Sequence, residues 1–471
     1  QGLTMVYNAY EQCGLDTTEN TSFFEEVAMR ARAILLSTLM IGLSILACGP
    51  SEAIDSVATS VAATMAAMGG ETPLETAPPA AESPEPAPTE APCVMAASLT
   101  IAYTNGGNVW LIEGTNPPIQ LTSGGNADDV SISDDGQRVA FTTYDNMTGN
   151  TELRVVHSDG TGETVLLSQA QLDALYPLGD ALHNLLHRRA FMPCTHNLLF
   201  NTRATFEGPG LATHDNVLLI DVDSATLTTL LNPGDGGDFT VSPDHAQIAI
   251  SRPDSISLVN ADGTNLRPDL LTITPVITYS EYMWSPYLRW APGSAAVGLA
   301  MPSEDPFAPG ISGTIWRIPA DGSPPVALAT IAGEFFFTQT RYTAISPDFA
   351  KVAFERDTAT PNIMELYIAN VDGTGETLYD TGNISWWNWN PDSTNFVYRT
   401  DTGDLRLGRL GAGPMTLGNG TNLRWVNTTR YLYLTGSYGS WTLKLGTLGG
   451  ADTTLASPAG DFVAYDFAPK P

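Results

Sequence analysis

Lysine is almost missing from this chain: three occur in 471 residues, beside 18 arginines. Charge of either sign is scarce, at 15% of residues, well under the usual quarter. What charge there is leans one way, with 51 acidic against 21 basic residues and a net −30. Such a field repels nucleic-acid phosphates and anionic headgroups, so no nucleic-acid partner is expected. A macromolecular partner should instead present a neutral or basic face. No GK[ST] phosphate loop and no G-x-S-x-G nucleophile elbow is present, and no cofactor is called for. Glycine (43) and proline (33) are plentiful, which favours short strands and many turns over long helices.

Residues 29–48 read MRARAILLSTLMIGLSILAC. Arg30 and Arg32 precede a 15-residue apolar run, Ala33 to Ala47. That is short for a membrane span and suited to a signal-peptide core. The run ends Ile45-Leu46-Ala47-Cys48, which resembles the lipobox of bacterial lipoproteins. The resemblance implies lipidation at Cys48, export, and contact with a membrane through the lipid alone. Met29 reads as the natural start, so residues 1–28 are expected to be a non-native upstream segment and 29–47 the signal peptide.

Residues 48–94 then read as a tether. The stretch ETPLETAPPAAESPEPAPTEAP is too rich in Pro, Glu and Ala to bury a core, and should be extended. Of the four cysteines, Cys13 lies upstream and Cys48 is the lipid candidate. Cys93 and Cys194 remain, either as a disulfide or as two free thiols.

The hexapeptide DGTGET occurs at 159–164 and again at 372–377. ISLVNADGTNLRPDLL and IWRIPADGSPPVALAT align with both copies. In all four an alternating apolar strand runs into Asp-Gly-Ser/Thr, a hairpin-turn signal. Upstream of each hairpin lies a second signature, as in FTVSPDHAQIAIS, TAISPDFAKVAFE and WNWNPDSTNFVYR. These segments resemble the PD40-type repeat of TolB-like proteins, which implies a β-propeller with four antiparallel strands per blade. Innermost strands can be counted by a recurring apolar residue: Ile132, Phe191, Val241, Trp290, Ile345, Trp389, Trp425 and Phe467. The count predicts eight blades over residues 95–471, with seven as the alternative because the Phe191 blade is least regular. The C-terminal strand should complete the first blade and close the ring.

The repeat resemblance brings no catalytic domain with it, and no Asp-box of the sialidase type occurs. His183 and His187 stand four apart, with Cys194 and His196 close behind. On a helical insertion these four would form a candidate zinc set. Asn184 stands where a zinc protease motif would carry glutamate. Aromatic residues gather in three inter-blade connections, which puts Tyr279, Tyr282, Trp284, Phe335, Phe336, Phe337 and Trp386 forward as a recognition surface. Glu281, Arg289, Gln339, Arg341, Asn388 and Arg424 lie beside them and are candidates to orient a ligand. The sequence therefore favours a monomeric, non-catalytic envelope module that binds a protein or peptide. The alternatives are a glycan-binding propeller using that aromatic sector, and a propeller enzyme.

Overall fold

The computed structural model describes residues 93–470 apart from 208–210, 280–281, 303–309 and 336–342. The upstream segment, signal peptide, Cys48 and nearly all of the tether lie outside the described residues. Within them the protein is an eight-bladed β-propeller. The helix Gln169–Asp173, capped by Ser168 and Gln171, sits in the connection between blades 2 and 3. No helix among the described residues is long and apolar enough to cross a membrane.

Blade 1 joins the two ends of the ring. Its inner strand is the C-terminal Tyr465–Ala468, followed outward by Thr100–Asn105, Asn108–Glu113 and Ile119–Gln120. Ile101 pairs with Phe467 across that seam. Blades 2, 4, 7 and 8 are plain four-stranded meanders with inner strands Ala127–Ile132, Asp238–Val241, Ile384–Trp389 and Thr421–Trp425. Blade 3 begins at His183–Phe191 and blade 5 at Arg289–Trp290. In blade 6 the inner position is held by Ile345, bridged to Val352. All eight apolar markers thus fall on inner strands, and the Phe191 blade is a full blade.

The core is divided into eight apolar layers, one at each contact between neighbouring blades. Alternation along each strand produces this division, because successive side chains face opposite neighbours. Trp290 and Trp389 are the clearest cases. Each is buried and donates its indole N–H back to the preceding blade, Trp290 to the Thr240 carbonyl at 3.1 Å and Trp389 to that of Ala344 at 2.7 Å.

Antiparallel order also sorts the loops. Turns between first and second strands, and between third and fourth, share one face, called lower here. Second-to-third loops and the connections between blades share the upper face. The hexapeptide is a lower-face turn. Asp159 accepts the Thr161 amide at 2.9 Å and Asp372 accepts that of Thr374 at 2.9 Å, with Gly160 and Gly373 at φ 81° and 79°. Asp262 and Asp321 do the same in blades 4 and 5.

The segment ALHNLLHRRAF is not a helix. It forms the nine-residue inner strand His183–Phe191, paired with Asn197–Thr205. Its i, i+4 spacing imitates a helix, but this stretch must supply the innermost strand of blade 3. Ring geometry overrides local propensity here.

Candidate functional site

Lower-face turns are held by a repeated side-chain device. Ser133, Ser242 and Ser346 each donate to an aspartate two residues on, at 2.7, 2.6 and 2.5 Å. Each hydroxyl also accepts the amide that opens the next strand, at 3.0, 2.9 and 2.8 Å. Neighbouring turns are linked in places, as where Asp348 N–H donates to Ser393 at 2.8 Å. Cys93 and Cys194 are joined as a disulfide, tying the start of the described chain to the lower-face turn of blade 3. Beside it His196 meets Asp223 at 2.6 Å and Asp135 at 3.0 Å, one through each ring nitrogen. Only the imidazolium donates from both nitrogens. Burial pulls its pKa down, but the two carboxylates prevail and raise it.

The proposed zinc set is therefore not assembled. His183 pairs with Asp173 at 3.1 Å and His187 lies 3.7 Å from Asp238. Cys194 is committed to the disulfide. The strand between His183 and His196 carries them to opposite faces of the ring. Among the described residues no group of three His, Cys, Asp or Glu is placed to hold a metal ion. Asn184 is buried and donates to the Tyr176 carbonyl at 2.9 Å, pinning the connection into blade 3.

The aromatic sector also changes character. Trp284, Phe335 and Trp386 are 9%, 2% and 1% exposed, so they offer a ligand no face. Trp284 packs between blades 4 and 5 and Phe335 between blades 5 and 6. Trp386 packs between blades 6 and 7, its ring 5.3 Å from that of Trp389. Tyr279 and Tyr282 are register partners in a short hairpin between blades 4 and 5, of which the backbone is described. Glu281, Phe336, Phe337, Gln339 and Arg341 lie outside the described residues. Asn388 is buried. Arg424 belongs to the seam: it donates to the Tyr465 carbonyl and to Asp466, both at 2.8 Å.

Asp466 joins three blades. One carboxylate oxygen accepts from Arg424 of blade 8, and the other accepts the Ile132 amide of blade 2 at 3.0 Å. Lys470 completes the set at 3.1 Å. Burial works to raise its pKa, yet Lys470, Arg424 and that amide hold it below the ordinary value.

Two groups not singled out as a pair or as a lone charge in the sequence stand out. Glu334 and Glu355 face each other across an antiparallel bridge, exchanging backbone bonds of 2.7 and 3.1 Å. Directly opposed residues point to the same side, so their carboxyls are neighbours. Burial, then Glu334, pushes the Glu355 pKa up to about 8. Burial, then Asp357, raises Glu334 to about 7. Glu355 accepts the Trp386 amide at 2.6 Å and so ties blade 6 to blade 7. Arg289 is the other. Its Nε is buried with no hydrogen-bond partner among the described residues, and burial lowers its pKa to about 10.

Exposed apolar side chains are unevenly spread. Of fourteen large ones, seven sit in upper-face loops or at strand ends beside them: Tyr144, Met147, Leu182, Ile277, Met283, Tyr438 and Phe462. Five more lie on outermost strands, and Val94 and Met95 follow Cys93. The lower-face turns contribute none among the described residues. Met147 is 92% and Phe462 68% exposed, and Phe462 meets Tyr438 edge-on with centroids 6.0 Å apart.

Fold and loops together define a velcro-closed propeller with a braced face and an open one. No family profile and no curated protein matches the sequence. Solved structures of similar form include TolB from Acinetobacter baumannii, at 13% identity and TM-score 0.35, covering 78% of this chain and 81% of that one. The propeller domain of the Trilobed protease from Pyrococcus furiosus shares 9% identity at TM-score 0.39, over 58% of this chain and 85% of that one. An oligogalacturonate lyase in complex with manganese shares 15% at TM-score 0.37, over 66% and 81%. At these identities the likeness concerns the fold alone.

Proposed function

We propose that this chain is an exported, lipid-anchored protein of the cell envelope that displays its propeller as a non-catalytic protein- or peptide-binding module. The upper face is the binding face. One observation carries the reading: half of the large exposed apolar side chains lie in upper-face connections or at a strand end beside them, while the lower-face turns themselves carry none among the described residues and are bordered only by Val94, Met95 and the first residues of outer strands, Ile119 and Val326. Apolar side chains held in water on connecting loops favour recognition over packing. Cys93, where the described chain begins, is held at the lower face by its disulfide to Cys194. The net −30 favours a partner with a neutral or basic surface.

Two experiments test this. The full chain is immobilised and exposed to native envelope extract, beside a Met147→Ser/Met283→Ser/Phe462→Ser variant and an outer-strand Val165→Ser/Leu378→Ser variant. A protein retained by the native chain and the outer-strand variant, and lost from the upper-face variant, is the expected result. Equal retention by all three removes the upper face from consideration. Metabolic labelling with palmitate should mark the native chain and not Cys48→Ser; unlabelled native protein refutes the anchor.

A further inference from the structure

The inner strands concentrate a surprising share of the rare positive charge. Arg188, Arg189, Arg289 and Arg424 all lie on them. Three are matched by carboxylates: Arg188 with Asp238 at 3.2 Å, Arg189 with Asp129 at 2.9 Å, and Arg424 with Asp466 at 2.8 Å. Arg289 has no carboxylate within reach among the described residues, and its Nε is enclosed without a hydrogen bond. In a chain with 51 acidic residues, a carboxylate was readily available to evolution at this position.

Place gives the omission meaning. Arg289 immediately precedes Trp290, the inner-strand marker of blade 5. The equivalent residues on other blades are Ser131, Thr240, Asn388, Arg424 and Asp466, with alanine at the remaining two. That register is polar on six of the eight blades. The Nε of Arg289 is enclosed while the residue keeps part of its surface open to solvent, as a side chain bordering an internal, wetted space would.

We propose that Arg289 is the anchor of a small-anion site inside the ring, taking an oxyanion with two coplanar oxygens, a carboxylate before a phosphate. A guanidinium left without a partner in a buried place is costly, and a planar fork matches a carboxylate in two parallel bonds. The site is independent of the upper-face reading: it concerns a small molecule in the interior, and either stands without the other.

The test is thermal unfolding of the full chain at constant ionic strength, with chloride replaced stepwise by acetate or by inorganic phosphate. Native protein should show a saturable rise in Tm with acetate, and a smaller one with phosphate. Arg289→Met should lose the saturable response and be at least as stable as native protein in chloride, since it removes an unmatched buried charge. Arg289→Lys keeps the charge without the fork and should bind acetate about tenfold more weakly. Equal anion responses in native and Arg289→Met protein overturn the proposal. So does Arg289→Lys binding acetate as tightly as native protein. Phosphate acting alone, with no acetate effect, overturns the carboxylate assignment.

Discussion

The lower and upper faces of this ring are built from the same eight blades and obey different rules. Below, turns are tight, and their polar side chains are spent on the turn itself or on the next blade. Serine–aspartate pairs, the Asp-Gly hairpins, the His196 clamp and the disulfide all bind the protein to itself. Above, connections vary in length, from Asn383 alone between blades 6 and 7 to residues 168–182 between blades 2 and 3, and leave Met147, Met283 and Phe462 in water. The contrast teaches where stability and recognition are divided. Repetition marks the face that holds the ring, and irregularity marks the face free to vary.

That division can be broken most severely at the seam. Asp466→Ala should cost about 3–5 kcal/mol, because it takes from Arg424, Lys470 and the Ile132 amide the buried carboxylate they share; denaturant unfolding reads it. The Asp466 pKa is depressed in the fold, so its contribution is present above the unfolded value of about 3.9 and fades as pH falls through the folded value. Opening the Cys93–Cys194 bridge, by reduction or by Cys194→Ser, should cost about 2–4 kcal/mol, since the bond closes a loop of 101 residues. His196 adds a pH signature on the same face. Its raised pKa means its contribution is complete below about 6.5 and is lost as pH rises through the folded value, a dependence that His196→Gln should flatten.

Smaller effects sharpen the comparison. Glu355→Ala removes the acceptor of the Trp386 amide and should cost about 1–3 kcal/mol. Glu355→Gln keeps an acceptor and cannot ionise. Glu355 and Glu334 titrate near 8 and 7, far above an unfolded glutamate at about 4.3. The fold therefore binds more protons than the unfolded chain, and native stability should decline as pH is raised from 5 to 9. Glu355→Gln should decline less; an identical slope would show that the buried pair does not titrate together. Gly162→Ala should cost about 1 kcal/mol, because φ is +68° and a Cβ would meet the His157 ring at 2.9 Å. At the other end of the scale, Met147→Ser and Phe462→Ser should change stability by no more than about 0.5 kcal/mol while altering partner capture.

Legibility followed the same division. The eight inner strands could be counted because one apolar residue recurs just before each lower-face turn, whatever the blade. The seam could be foreseen because a lone strand at the C-terminus matched a three-stranded first blade. The reading went astray at His183–Phe191, where helical spacing concealed a strand. It went astray again at Trp284 and Trp386, where loops rich in aromatics turned out to carry wedges between blades. The Glu334–Glu355 pair left no local sign: one member stands on the connection into blade 6, the other on that blade's second strand, and they meet only through the bridge.

The sequence by itself determined the blade number, the closure and the turns, because each depends on a few adjacent residues whose chemistry is repeated along the chain. Tertiary structure alone decided which aromatic residues stay in water, which inner-strand arginine lacks a carboxylate among the described residues, and which carboxyls share a space. Those outcomes are set by neighbours a blade's length away, and burial and charge pairing exist only once the blades have packed side by side.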